Sequence, residues 1–178
     1  MTSFINSEMD QITEKIWLGN YDASRNKNNI KRQGITKILS IMDYAPQFDI
    51  EDNVIQKIIE VIDSPTFNII QYFGECLNFM EGNEKILVHC WAGASRSATI
   101  VIAYIMWKYK ISAEDAINYV LQKRTSILPN SGFQKQLKIF ERLLKDNQYD
   151  IDRIDFYNIN WKPKLPELSQ KNKQLYIY

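Results

Sequence analysis

The chain has 178 residues, 45% hydrophobic and 24% charged, with a formal net charge of +1 at pH 7. This length and balance fit one domain with a real core, and they exclude both a disordered polyelectrolyte and a broad cationic nucleic-acid surface. Two cysteines and one histidine exclude a disulfide scaffold and leave too few soft ligands for a zinc site.

The start, MTSFINSEM, has no basic end followed by an apolar stretch and no glycine after the methionine. Neither a secretory signal nor a myristoyl anchor is expected, and with so few cysteines the expected location is a reducing one, cytoplasmic or nuclear. KIWLGN then reads as a first strand and turn, followed by a helix from about Tyr21 or Ala23 to Gln33 that Gly34 stops. Ile35 to Met42 and Val54 to Ile62 read as two further strands. A helix is predicted from about Pro65 to Met80, ended by the turn Glu81, Gly82, Asn83, and a strand from Ile86 to Cys90 follows.

The second half is helical. The apolar run 98–107 is too short to span a bilayer and reads as a core helix. Ser112 with Asp115 opens the helix SAEDAINYVLQKR, and Pro129, Asn130 and Ser131 introduce a last one to about Asp146. Strands alternating with helices predict an α/β fold, a central mixed and partly parallel sheet flanked by helices, with ligands beyond the carboxyl ends of the strands.

Cys90 stands at such an end, inside HCWAGASRS, residues 89–97. The order is strand, tight loop, helix. A loop of this kind turns successive backbone N–H groups inward and adds the positive end of the helix dipole, which makes a cradle for a tetrahedral oxyanion. The same N–H groups, from Trp91, Ala92, Gly93, Ala94, Ser95 and Arg96, favour thiolate over thiol at Cys90. A thiolate beneath a bound phosphate is a nucleophile aimed at phosphorus. Arg96 offers a planar fork for two equatorial oxygens, and the Ser97 hydroxyl is placed to donate to sulfur when it leaves.

These residues resemble the cysteine-based protein tyrosine phosphatases, and within them the compact dual-specificity phosphatases. The pattern is His89, Cys90, five residues, Arg96, Ser97. The resemblance extends to ITEKIWLGN, DSPTFNIIQYFGECLNFM, AYIM, and the late run with Arg124, Pro129, Asn130, Phe133 and Gln136, covering roughly residues 10 to 145. It implies the phosphatase fold and a hydrolase that uses a cysteinyl-phosphate intermediate and neither cofactor nor metal. It also implies signalling by dephosphorylation of phosphotyrosine and phosphoserine or phosphothreonine on protein substrates.

By register with the family, Asp63, at the end of the apolar run VIQKIIEVI, is the general acid that protonates the leaving oxygen and later the base for water. Capping of the helix near Pro65 is its alternative use. Asp43, Asp49 and Asp52 are rivals read as solvated. His89 is expected either to hydrogen-bond the loop backbone or simply to pack, and Asn130 either to orient the phosphate loop, as the resemblance implies, or to cap its helix. Trp91 is larger than expected after the nucleophile. Its indole would line the mouth or, the slightly favoured reading, pack inward. Cys76 reads as packing, with a disulfide to an oxidised Cys90 as the alternative.

Three other functions share these features. A phosphoinositide phosphatase would be expected to carry lysines between Cys90 and Arg96, an RNA 5′-phosphatase a basic groove, and a non-catalytic phospho-binding module a missing nucleophile, arginine or acid. The catalytic domain is expected over residues 1–146. Residues 147–178, rich in Tyr, Asn, Lys and Asp, are expected to form a tail or an arm on that domain.

Overall fold

The computed structural model describes residues 8–45, 53–159 and 161–163. A five-stranded sheet is built from β1 (Met9–Gln11), β2 (Ile16–Gly19), β3 (Ile35–Met42), β4 (Ile55–Glu60) and β5 (Lys85–His89), in the order β1-β2-β5-β3-β4. Only β1 runs antiparallel to its neighbour; β2, β5, β3 and β4 are mutually parallel. The register aligns Gly19 and Ser40 with His89, and Met42 with Glu60. Four strands therefore end along one edge, and the residues just past them, Tyr21, Cys90, Asp43 and Asp63, are delivered to the same place.

Among the described residues six α-helices surround the sheet: α1 (Tyr21–Arg25), α2 (Lys27–Gln33), α3 (Phe73–Met80), α4 (Arg96–Tyr109), α5 (Ala113–Lys123) and α6 (Ser131–Asp146). The mixed sheet flanked by helices is the expected architecture. The run after Cys90 is a core helix, with every residue from Arg96 to Met106 buried and Lys110 in the left-handed conformation that ends it. Among the described residues no helix is long and apolar enough to cross a membrane.

Two predicted helices differ. The one expected over Tyr21–Gln33 is broken at Asn26, whose side chain accepts from Asn29 N and restarts the helix as α2. The one expected from Pro65 begins only at Phe73, after a 3-10 turn over Ile70–Tyr72. Its first turn is prevented from forming because Gln136 on α6 takes the groups it needs: Gln136 Oε1 accepts from Ile70 N at 3.0 Å and Nε2 donates to Phe67 O at 2.8 Å. A side chain from another helix thus fixes the segment as a loop, the one that carries Asp63.

Beyond α6 the described residues 147–159 stay on the domain. Ile151, Ile154 and Phe156 are buried, Trp107 Nε1 donates to Tyr149 O at 3.0 Å, and Asn68 Nδ2 donates to Ile159 O at 3.1 Å. The Phe156 ring lies against Gly74, where an added Cβ would sit 2.7 Å from it. The last fifteen residues lie outside the described residues.

Candidate active site

The loop between β5 and α4 is held by its carbonyl groups. Trp91 O accepts from Tyr21 N at 3.0 Å and Ala94 O from Leu128 N at 2.8 Å. Gly93 O accepts from Arg124 Nε at 3.0 Å, Ala92 O from Arg124 Nη2 at 3.4 Å, and Ser95 O from Thr99. With each carbonyl turned outward to a partner, the opposing N–H groups face the inside of the turn, the arrangement that receives an anion. Gly93 has φ +66°, and a Cβ there would lie 2.5 Å from Gly19 O, so both the turn and its seat on β2 require glycine.

The buried Cys90 thiol accepts from Ser97 Oγ at 3.1 Å. The His89 ring lies behind it, with Nδ1 3.4 Å from Cys90 O and Nε2 2.7 Å from Ser40 Oγ. A carbonyl only accepts, so Nδ1 carries the proton and Nε2 accepts from Ser40, whose oxygen in turn receives Gln56 Nε2 at 3.2 Å. The histidine contacts the loop backbone as well as being packed, so its two expected uses coexist.

Burial pushes the His89 pKa down to about 4, so the ring is neutral near pH 6 and contributes no cation beside the thiol. The unfolded chain takes up the proton near pH 6.5 and the folded chain refuses it until about 4. His89 therefore costs no stability above pH 6.5, and about 3 kcal/mol is lost as the pH falls to 4. Urea midpoints measured across that window should fall less steeply for His89→Asn than for the parent chain; parallel curves would show that another group controls the acid limb.

Arg96 is buried, with Nη1 3.2 Å from Asp43 Oδ1 and 3.3 Å from Val61 O, while its Nε has no hydrogen-bond partner. A buried donor without an acceptor is costly, and a phosphate oxygen would satisfy it. Asp43 is exposed, as its solvated reading expects, and from one residue past β3 it also reaches the guanidinium. Asp49 and Asp52 lie outside the described residues.

Asp63 is tied directly to the loop. Its Oδ1 accepts from Ser95 Oγ at 2.7 Å and from Asn130 Nδ2 at 2.8 Å, and its Oδ2 lies 3.9 Å from Arg96 Nε. Ser95 occupies the cap position of α4 but spends its hydroxyl on Asp63, leaving the first N–H groups of that helix without a side-chain cap. Asn130 does cap α6, its Oδ1 accepting from Phe133 N at 3.0 Å, and the other end of the same amide holds the acid. Gly132 packs directly on Pro65 O, where a Cβ would collide with the backbone of the Asp63 loop. The expected site residues Cys90, Arg96, Asp63 and Ser97, with His89, Asn130 and the 91–95 backbone, are thus all brought to one place.

Trp91 is not packed inward, the reading slightly favoured from sequence. It is exposed and stacked on Tyr21 with ring centroids 5.1 Å apart. Cys76 and Cys90 are both free, and burial pushes the Cys76 thiol up, so it is an inert packing group.

Arg124 is the structural residue that sequence reasoning left without a role. Its buried fork holds two loop carbonyls and pairs with Asp10 Oδ2 at 2.6 Å. Only its place in the family-like late run marked it, since its partners lie far away in sequence. Arg124→Met keeps the stem but strands those acceptors, and because Asp10 is partly solvated the cost should be about 2 kcal/mol. Urea unfolding measures it, and an unchanged midpoint would mean that water replaces the fork.

Comparison with known proteins gives the same picture. The family model described as dual specificity phosphatase, catalytic domain, matches residues 16–143. The MAP kinase phosphatase with leucine-rich repeats protein 1 of Dictyostelium discoideum is 40% identical over 136 residues, 75% of this chain but 16% of that protein. Dual specificity protein phosphatase 22 of Mus musculus is 38% identical over 141 residues, 76% of this chain and 75% of its own. The crystal structure of the human tyrosine phosphatase-like serine/threonine/tyrosine-interacting protein superposes with a TM-score of 0.71 at 33% identity, covering 77% of this chain and 97% of the other. Against two Dictyostelium relatives the match spans 16% and 36% of their length, so what is shared with them is a domain. With the matched segment running from β2 into α6 and enclosing the whole loop, the chain belongs to the dual-specificity phosphatase family.

Proposed function

We propose that the chain is an active protein phosphatase that hydrolyses phosphotyrosine and phosphoserine or phosphothreonine through a cysteinyl-phosphate intermediate. The observation that carries this reading is the joining of nucleophile and acid through one loop: Ser97 donates to the Cys90 sulfur while Ser95 donates to Asp63.

In the first step the Cys90 thiolate forms the S–P bond as the P–O bond to the substrate breaks, and the leaving oxygen takes a proton from Asp63. The Asp63 Oδ1 already accepts two hydrogen bonds, so Oδ2 is the oxygen that carries this proton. The inward N–H groups and Arg96 take the charge on the equatorial oxygens. In the second step Asp63 accepts a proton from water as that water attacks phosphorus, and sulfur departs as thiolate while Ser97 Oγ–H donates to it.

Substrates are phosphorylated proteins. Residues 91–95 contain no lysine to meet the additional phosphates of an inositol headgroup, which favours a single phosphate ester. The catalytic unit is residues 1–146, with the described residues 147–159 lying on it as an arm, and two free cysteines suit a reducing compartment. Hydrolysis of para-nitrophenyl phosphate at about pH 6, with reductant and no added metal, tests the reading. Turnover blocked by vanadate is expected. A folded protein that binds vanadate but turns nothing over would make it a phospho-binding module instead.

A further inference from the structure

Large apolar side chains are exposed around the mouth of the site. Trp91 is 56% exposed, Ile62 59% and Leu128 73%. Single exposed apolar residues are ordinary on any surface, but these three belong to three different segments and all stand at one loop. Ile62 precedes Asp63, which is bonded to Ser95. Leu128 donates its N–H to Ala94 O, and Trp91 is itself in the loop, so the points where Trp91 and Leu128 join it lie within about 11 Å along the chain.

The rim is also built to stay in place. The Trp91 indole is stacked on Tyr21 at an interplanar angle of 20°, Tyr21 N holds Trp91 O at 3.0 Å, and the Arg25 guanidinium lies 5.5 Å over the Tyr21 ring. An aromatic shelf fixed in this way loses little freedom when something lies on it. The flanking segments 61–68, 91–95 and 125–130 contain no lysine or arginine, and the Arg25 guanidinium at the shelf lies over the Tyr21 ring.

We infer that the Trp91–Tyr21 shelf, Ile62 and Leu128 form a specificity rim that receives large apolar side chains flanking the phosphorylated residue of the substrate. This rests on the phosphatase reading above. The occupant follows from continuity with the pocket, because these exposed side chains belong to the segments that border the Cys90 loop. Burying one flanking leucine there should be worth roughly tenfold in kcat/KM over glycine.

The test uses two phosphotyrosine peptides that differ only in carrying Leu or Gly on both sides of the phosphoresidue. The parent chain should prefer the Leu peptide by roughly tenfold for each leucine that the rim buries, expressed mainly in KM. In Tyr21→Ser and in Leu128→Ser the Leu/Gly ratio should fall at least threefold. The ratio is taken within each variant, so a general loss of activity cancels. A ratio near one in the parent chain, or one unchanged in both variants, overturns the rim while leaving the phosphatase reading intact. No turnover of either peptide or of para-nitrophenyl phosphate would fail that reading itself. Specific activity that falls with protein concentration, or a preference erased by a synthetic peptide of residues 164–178, would assign the rim to a second copy or to the chain's own end and overturn the proposal.

Discussion

Cys90→Ser is expected to abolish turnover, by roughly four orders of magnitude or more, while the protein keeps its affinity for phosphate. The substitution exchanges one atom in a buried position that has Ser97 Oγ 3.1 Å away, so the cradle survives it. A serine hydroxyl does not ionise near neutral pH, and the neutral oxygen is a poor nucleophile toward phosphorus. The binding elements, the inward N–H groups and the Arg96 Nε that has no hydrogen-bond partner, are untouched. Calorimetric titration with a phosphotyrosine peptide should therefore give binding as tight as in the parent chain. Normal turnover would refute Cys90 as nucleophile. Loss of binding together with turnover would mean that the loop collapses without its sulfur, and Cys90 would then owe its place to structure.

The distribution of charge partners explains what could and could not be read from the chain. The strand–loop–helix around Cys90 is legible because its signals are local: an apolar strand, a glycine where φ is positive, a long apolar helix. The strand Ile35–Met42 and the helix Ser131–Asp146 are legible for the same reason. β1 is three residues long and has no period to detect. The helix expected at Pro65 fails because Gln136, more than sixty residues away, supplies the hydrogen bonds that a first helical turn would have made for itself.

The site shows the same division. Asn130 as a helix cap is a three-residue signal, whereas its amide nitrogen reaching Asp63 depends on the packing of Gly132 against Pro65. Asp43 sits in an acidic stretch that reads as solvent-facing, which it is, and only the parallel register of β3 with β5 also places it against Arg96. Trp91 was misplaced because sequence does not reveal that Tyr21, at the end of the neighbouring strand β2, offers its ring as a shelf. In each case the chemistry was local and the orientation came from a crossing element.

Asp63→Asn should lower turnover of phosphotyrosine peptides by about two to four orders of magnitude. Asparagine has the same shape, and its oxygen still accepts from Ser95 and Asn130, so the loop remains where Asp63 held it. What is lost is the proton. The loss should therefore grow with the basicity of the leaving oxygen: smallest for para-nitrophenolate, larger for the tyrosine phenolate, largest for the alkoxide of phosphothreonine. A uniform loss across all three esters would reduce Asp63 to a brace for Ser95 and Asn130 and would require another proton donor. A graded loss would place proton transfer to the leaving oxygen on Asp63 and make its anchoring by Asn130 the means by which α6 aims the acid.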